Sequence, residues 1–537
     1  DPDVQFQLAE LYQATGAFDQ SRDRYGKLLA RDPKFVEALV AMGRVEINSG
    51  NPQGSLEYLN RALALSIQLE NEGQKAAVLH AIGVAYKLLN KPHDALRNYE
   101  ASLEVRRRLG QKREIAVTLN EMAQIHDVLG DSDVALKSYQ EALQLQREIG
   151  DKKGVGDSLI NLGVYYETRG EYAQALALTK ESLQIQHDIG EPTREGFCLN
   201  NIGWIYLNKG DYDDALTYFE RALQVREKLK TPGDLADTLY NLADTSFRVG
   251  RYEQALASYL RSLDLWRASG DKWGVAIASY GLGTLFEHQG RYGAAVNSLQ
   301  DALKAFRELQ HHDIWLARIL SGYGNALSLA GRGEEAKGNL QEALSLAQKL
   351  KHQSVTAQIL NFQGDLFFYQ GNFRSAKPLF EQALQLASST SDRPLILASK
   401  MNLAKVALKE GRGQATINSL KTLAEESGAL RLKYLSTECS VYLGEAFVSS
   451  KDYLGAREQL EEAKRKSGEL GSRALLARCQ FLMGTTFQLS GQAAAASSHY
   501  DEARQLVEEI HKEAGNDAVL KRGDLRPIYE ESLRRSQ

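Results

Sequence analysis

The feature that most constrains this 537-residue chain is a small residue that recurs thirteen times, usually directly after an apolar residue. Leu162-Gly163 and Ile202-Gly203 are two examples, and they lie 40 residues apart. The small residues, called reference residues below, are Ala9, Gly43, Gly83, Ala123, Gly163, Gly203, Ala243, Gly283, Gly324, Gly364, Ala404, Gly444 and Gly484. Ten of the intervals between them are 40 residues long, and the other two are 34 and 41. A fixed period in this range is typical of a solenoid. A solenoid presents an extended surface rather than a catalytic pocket.

Two further positions recur within each repeat. The position seven residues after the reference residue is held by glycine in eleven repeats, by Asn90 in one and by Lys451 in another. Such a preference indicates a backbone with positive φ at the end of a helix, so we expect a strained or altered turn at Lys451. Five residues further on, small residues such as Ala95 and Ala215 recur, which lets two helices approach closely. Between these positions the apolar residues follow the helical period, so each repeat is predicted to be a helix, a tight turn and a second helix.

This pattern resembles the tetratricopeptide repeat (TPR). Repeat six shows the family phrase best, with Gly203, Tyr206, Gly210, Tyr212, Ala215, Phe219 and Ala222. The resemblance covers nearly the whole chain, and its 40-residue length is similar to the variant in kinesin light chains, Pins-type adaptors and repeat arrays of bacterial signalling proteins. It implies an all-α, right-handed superhelical solenoid of thirteen repeats over residues 1–510. Residues 511–537 would form a C-terminal capping segment, whose final short helix begins around 524–529.

Composition and motifs exclude several classes of function. A formal net charge of −4 provides no basic field for nucleic acid, and no apolar run is long enough to span a membrane. No nucleic-acid or membrane partner is therefore expected, and the absence of a signal peptide favours the cytoplasm. The three cysteines share one small packing column, and His311-His312-Asp313 falls in a loop between repeats. With no phosphate-binding or HExxH phrase, we expect no enzymatic activity, no metal and no cofactor.

The candidate binding residues lie in the first helix of each repeat. In the resembling family, residues two, three and six before the reference residue, and one, four and five after it, face the concave surface. Asparagine is a poor residue for a helix interior, yet it recurs at one of these positions in three consecutive repeats. Its amide offers both donors and an acceptor to a peptide backbone, and aromatic residues nearby offer apolar contacts. The predicted groove residues are Asn120, Asn161, Asn200, Asn201, Trp204, Tyr240, Asn241, Asp244, Phe247 and Tyr280. The alternative is that the asparagines bond to neighbouring repeats and the aromatics pack between helices.

The sequence therefore predicts a scaffold that binds a protein or peptide in its concave groove, as the sensing or docking region of a larger signalling protein. The chain begins at Asp1 rather than at methionine, which suggests a preceding segment. A second hypothesis is accordingly a regulatory arm that acts on a catalytic domain upstream, such as a kinase, cyclase or ATPase. A third hypothesis is an architectural solenoid that assembles with further copies of itself. A capped C-terminus argues against self-assembly and predicts a monomer.

Overall fold

A computed structural model describes residues 2–311 and 313–535, and its regular secondary structure over these residues is entirely helical. The chain divides into two compact units, residues 1–209 and 210–537. The helices of the first unit are α1 (Pro2–Ala14), α2 (Phe18–Arg31), α3 (Val36–Asn48), α4 (Pro52–Gln68), α5 (Glu72–Leu88), α6 (Pro92–Arg108), α7 (Lys112–Leu129), α8 (Ser132–Glu148), α9 (Lys152–Glu167), α10 (Tyr172–Asp188) and α11 (Pro192–Lys209). The division between the two units lies at the turn within repeat six.

The second unit contains the remaining helices. They are α12 (Tyr212–Leu229), α13 (Pro232–Arg248), α14 (Tyr252–Ser269), α15 (Lys272–Gln289), α16 (Tyr292–Arg307), α17 (Ile314–Leu329), α18 (Gly333–Lys349), α19 (Gln353–Tyr369), α20 (Phe373–Ser389), α21 (Arg393–Lys409), α22 (Gly413–Ala429), α23 (Lys433–Ser449), α24 (Tyr453–Glu469), α25 (Arg473–Leu489), α26 (Ala493–Ala514), a 3-10 helix (Asp517–Lys521) and α27 (Arg526–Arg535). All thirteen reference residues lie in odd-numbered helices, so the predicted order of helix, turn and helix is confirmed.

The turns within the repeats have the predicted backbone. Gly210 has φ +90°, and Asn90 and Lys451 also have positive φ, at 55° and 65°. At Lys451 the hydrogen bonds match those at the glycine turns: the Lys451 N–H donates to the Val448 carbonyl, and the next N–H donates to the Phe447 carbonyl. The turn at Lys451 is therefore strained but not altered in its course.

A second set of turns, between repeats, also has positive φ, and the sequence did not reveal it. These positions are Glu70, Gly110, Gly150, Gly190, Lys230, Gly270, Gln310, Lys351, Ser391, Arg431 and Gly471. Only five of them are glycine, which is why the pattern was not recognised. Left-handed turns of this kind thus end the first helix and the second helix of a repeat alike.

The recurring small residues are required by close packing of the two helices in a repeat. A Cβ atom on Gly83 would lie 2.6 Å from the Tyr99 ring, and one on Gly364 would lie 2.4 Å from the Phe380 ring. The small residues on the second helices, such as Ala95, are fully buried. Cys198, Cys439 and Cys479 are buried and free, in agreement with the predicted packing role.

The C-terminal part of the second unit folds back onto earlier repeats of the same unit. Val519, Leu525 and Ile528 belong to one buried apolar cluster together with Leu327 and Leu366, which lie in α17 and α19. The final helix begins at Arg526, close to the predicted position. Residues after 511 thus pack into the unit, while α26 continues to Ala514.

None of the helices described in the structure is both long and apolar enough to cross a lipid bilayer. Among the same residues, no three His, Cys, Asp or Glu side chains converge in a way that could hold a metal ion. His312, one member of the loop sequence considered above, lies outside the described residues.

Candidate functional site: an open stripe on the first helices of repeats four to six

Four positions of a first helix lie on one face of that helix: six and two residues before the reference residue, and one and five residues after it. Spacings of four, three and four residues return to the same side of an α-helix. In α7, α9 with its C-cap residue Thr168, and α11 of the first unit, these positions form what we call the open stripe. It consists of Val117, Glu121, Gln124 and Val128; Asp157, Asn161, Val164 and Thr168; and Phe197, Asn201, Trp204 and Asn208.

The open stripe exposes several apolar side chains. Val128 is 85% exposed, Val117 and Val164 are 42% and 44% exposed, and Phe197 and Trp204 are each 38% exposed. Single exposed apolar residues are normal on a protein surface. Here they lie on the same face of three successive first helices, which is the arrangement expected of an interaction surface.

Side-chain contacts confirm that first helices of neighbouring repeats lie side by side. The Lys87 ammonium of α5 lies 2.5 Å from a Glu121 carboxylate oxygen and donates to the Gln124 amide oxygen at 3.0 Å. Further along, the Asn208 amide donates to the Glu167 carboxylate at 2.5 Å. These bonds link the first helices of successive repeats directly.

The charges next to the open stripe are mostly compensated. Glu121 is paired with Lys87, and Asp127 is paired with Arg169 at 2.5 Å. Asp157 lies 3.3 Å from Arg194, and burial raises the pKa of its carboxyl group despite that arginine. The stripe therefore presents amide and apolar groups rather than a net field of one sign.

The five predicted groove residues of the first unit divide into two sets. Asn161, Asn201 and Trp204 lie on the open stripe, with the asparagines half-buried and the tryptophan exposed. Asn120 and Asn200 are buried, at 7% and 8% exposure. The Asn120 amide donates to the Ser158 hydroxyl of the next repeat at 2.7 Å. For Asn120, the structure therefore shows the contact between repeats that was the alternative interpretation.

The five predicted residues of the second unit contact other side chains of that unit. The Tyr240 ring lies against Tyr259 and Trp266, with centroids 5.9 and 5.8 Å away. Asp244 is paired with Arg248 at 2.8 Å, and Asn241 is buried. Two further aromatic contacts complete the set: Phe247 stacks on Tyr252 at 5.5 Å, and Tyr280 meets Trp315 edge-on at 6.4 Å. These side chains pack within the unit and leave less surface for a partner than the open stripe does.

Ion pairs cover much of the equivalent face in the second unit. Lys405 and Glu438 are 2.6 Å apart, and Glu445 accepts from Lys409 at 2.8 Å and from Arg478 at 3.1 Å. Burial raises the pKa of Glu445, but Arg478 and Lys409 outweigh it and lower the pKa to about 2. These carboxylates are compensated, so this face acts as a polar core of the unit.

Two carboxyl groups of the second unit are enclosed without an adequate cation. Burial raises the pKa of Glu287 to about 8, against the opposing effect of a hydrogen bond with Asn325. Burial also raises the pKa of Asp365 to about 7, although Lys405 opposes the shift. Both groups are therefore substantially protonated near neutral pH.

Sequence reasoning missed the apolar members of the open stripe. The predicted residues did not include Val117, Val128, Val164 and Phe197, because the prediction started from the recurring asparagines. The signal was present: these apolar residues occupy positions that point away from the helix pair of their own repeat.

Comparison with known proteins identifies the class. A family model described as "Tetratricopeptide repeat" matches residues 35–108, 114–188, 169–228, 234–308 and 315–389, and related models with the same description match 363–420 and 3–34. The chain therefore belongs to the tetratricopeptide repeat family, as its residues predicted. Proteins of this family are generally non-catalytic scaffolds for protein interactions. Among curated proteins, no sequence matches the chain.

The chain is similar to several solved structures at low sequence identity. A Rap protein complexed with competence and sporulation factor is 15% identical, with a TM-score of 0.51, and the match covers 67% of this chain and 99% of the other. The apo form of the quorum sensor NprR from B. thuringiensis is 17% identical with a TM-score of 0.46, covering 64% and 98% of the two chains. BtubC from P. vanneervenii is 20% identical with a TM-score of 0.35, covering 42% and 92%.

Proposed function

We propose that the open stripe of α7, α9 and α11 binds a segment of a partner protein, and that the chain is a docking or sensing scaffold in a signalling pathway. The observation that carries the proposal is the exposure of Val117, Val164 and Trp204 on the same face of three successive first helices. The Rap protein that shares this fold was solved with a bound factor, which is consistent with a binding role for such a solenoid.

The chemistry of the stripe favours a partner segment in extended conformation. Asn161 and Asn201 occupy the same position in neighbouring repeats, and each amide can both donate to and accept from a peptide backbone. Phe197 and Trp204 lie on either side of Asn201 along α11, where they offer large apolar contacts of the kind that dominate interface energetics. An extended segment would satisfy its backbone on the amides and place apolar side chains against these rings.

The test begins with selection from a phage-displayed library of random twelve-residue peptides, because the natural partner is not identified. Peptides that bind the whole chain are then measured by fluorescence polarisation against Trp204→Ala and against Asn161→Ala/Asn201→Ala. Loss of a central tryptophan contact typically costs about 2 kcal/mol or more, or roughly thirtyfold in affinity. The two amides together contribute about 1–3 kcal/mol.

A matched pair of valines provides the control. Val164 lies on the open stripe and is 44% exposed, while Val134 lies on the second helix α8 and is 48% exposed. Val164→Ala should weaken binding and Val134→Ala should not. Equal binding by the wild-type chain, Trp204→Ala and the double asparagine variant, all with unchanged thermal melts, would refute the proposal.

A further inference from the structure

Residues 516–535, here called the C-terminal strap, dock onto turns that lie far earlier in the chain; Arg522, for example, contacts Leu329 across 193 residues. The strap follows Gly515, which ends α26 with positive φ, and it contains the 3-10 helix and α27. The docking surface consists of the turns and adjoining helix ends of repeats eight to ten, all within the second unit. This contact is not part of the repeat pattern.

Just before the strap, Glu513 fixes the end of α26 to repeat eight. One carboxylate oxygen accepts from the Gly293 N–H at 2.9 Å, and the other accepts from the Ala294 N–H at 2.8 Å. Both N–H groups belong to the first turn of α16, where a carboxylate is favoured. A Cβ on Gly293 would lie 2.4 Å from the Glu513 carbonyl oxygen, so this approach requires glycine.

The centre of the contact is the guanidinium of Arg522, whose residue is 4% exposed. It donates to the Leu329 carbonyl at 2.6 Å, and it pairs with Asp524 through two bonds of 3.0 and 2.7 Å. Its carbon lies 4.4 Å from the centroid of the Tyr369 ring and 5.0 Å from that of Tyr292. Two aromatic faces, a carbonyl and a carboxylate are the groups that a planar guanidinium prefers.

The backbone next to Arg522 also joins the turn of repeat ten. The Gly523 N–H donates to the Tyr369 carbonyl at 2.6 Å, and a Cβ at this position would lie 3.1 Å from that oxygen. Of the apolar side chains in the strap, only those of Val519, Leu525 and Ile528 are buried. The docking therefore depends strongly on one arginine that must stay paired, because an unpaired buried charge is costly.

We propose that Tyr292, Tyr369 and the Leu329 carbonyl form a guanidinium-binding site that the strap occupies in cis. The strap is a releasable latch, since it lies outside the repeat pattern and joins α26 through a short non-helical connection. Release of the strap exposes the two tyrosines. They can then bind an arginine on an extended segment of a partner protein, and that segment carries a carboxylate next to the arginine, as Asp524 lies next to Arg522 in the strap. This site is separate from the open stripe. The proposal therefore does not depend on whether the open stripe binds a partner.

The test compares Arg522→Ala with Arg526→Ala in the whole chain by hydrogen exchange. Arg526 is a matched control because it lies in the same strap, is exposed and pairs only locally with Glu530 at 2.8 Å. Exchange at residues 517–535 should become more than about tenfold faster in Arg522→Ala and stay unchanged in Arg526→Ala. Exchange in α15, α17 and α19 should stay slow in both variants.

A binding experiment then probes the vacated site with a synthetic peptide of residues 516–535. The peptide should bind the Arg522→Ala chain and not the wild-type chain, and a peptide carrying Arg522→Ala should bind at least about tenfold more weakly. Unchanged exchange of the strap would overturn the proposal. So would equal binding of the two peptides, or loss of protection throughout the second unit, because the strap would then be a constitutive part of its core.

Discussion

The strain at Lys451 gives a prediction whose size can be worked out from the backbone. Lys451 has φ 65°, and the equivalent Gly411 in the preceding repeat has φ 79° with no atom within 4 Å of a Cβ placed there. A side chain in the left-handed region costs roughly 1–2 kcal/mol. Glycine loses roughly 0.5–1 kcal/mol more conformational entropy on folding. Lys451→Gly should therefore stabilise repeat twelve by about 0.5–1 kcal/mol, and Gly411→Ala should destabilise repeat eleven by a similar amount.

Hydrogen exchange read by mass spectrometry is the suitable assay, because a solenoid opens repeat by repeat. A change of 0.5–1 kcal/mol corresponds to roughly a two- to fivefold change in the exchange rate. Peptides from α23 and α24 should exchange more slowly in Lys451→Gly, and peptides from α21 and α22 should exchange faster in Gly411→Ala. Lys451→Ala is the control and should change little, since it keeps the strained backbone. Faster exchange in Lys451→Gly would refute the reasoning.

Three further predictions follow from burial and charge. Asn120→Ala should destabilise repeats four and five by about 1–3 kcal/mol, because it removes a buried partner of Ser158. Asn161→Ala should change the free energy of unfolding by less than about 0.5 kcal/mol. Urea unfolding and hydrogen exchange of both variants measure this difference. Because the pKa of Glu287 is raised to about 8 in the folded chain, the stability of the second unit should fall as pH rises from about 5 to 8. Glu287→Gln should remove that part of the dependence in urea titrations, and an unchanged slope would show that the group is not enclosed. Since charges beside the open stripe are paired, affinity for a selected peptide should vary less than about threefold between low and high salt; a steep salt dependence would contradict this.

The repeat period was sufficient to predict the helices, their pairing and the tight turns, because each depends on contacts between residues close in sequence. Gly83 against Tyr99 and the positive φ of Gly210 are examples. The strap could not be predicted, because Arg522 meets Leu329 across 193 residues and no local pattern encodes such a contact. The candidate site was predicted in part. Asn161, Asn201 and Trp204 lie on the open stripe, but Asn120 bonds to the next repeat, and an asparagine alone does not reveal which side of a helix is covered.

The central claim is that the open stripe is the surface a partner uses, and a hydrogen-exchange footprint tests it most directly. The whole chain is measured with and without a saturating amount of a library-selected peptide. We expect slower exchange in α7, α9 and α11, with the second helices α8 and α10 and the second unit unchanged. Protection centred on the second helices, or on the second unit with α7, α9 and α11 unaffected, would contradict it.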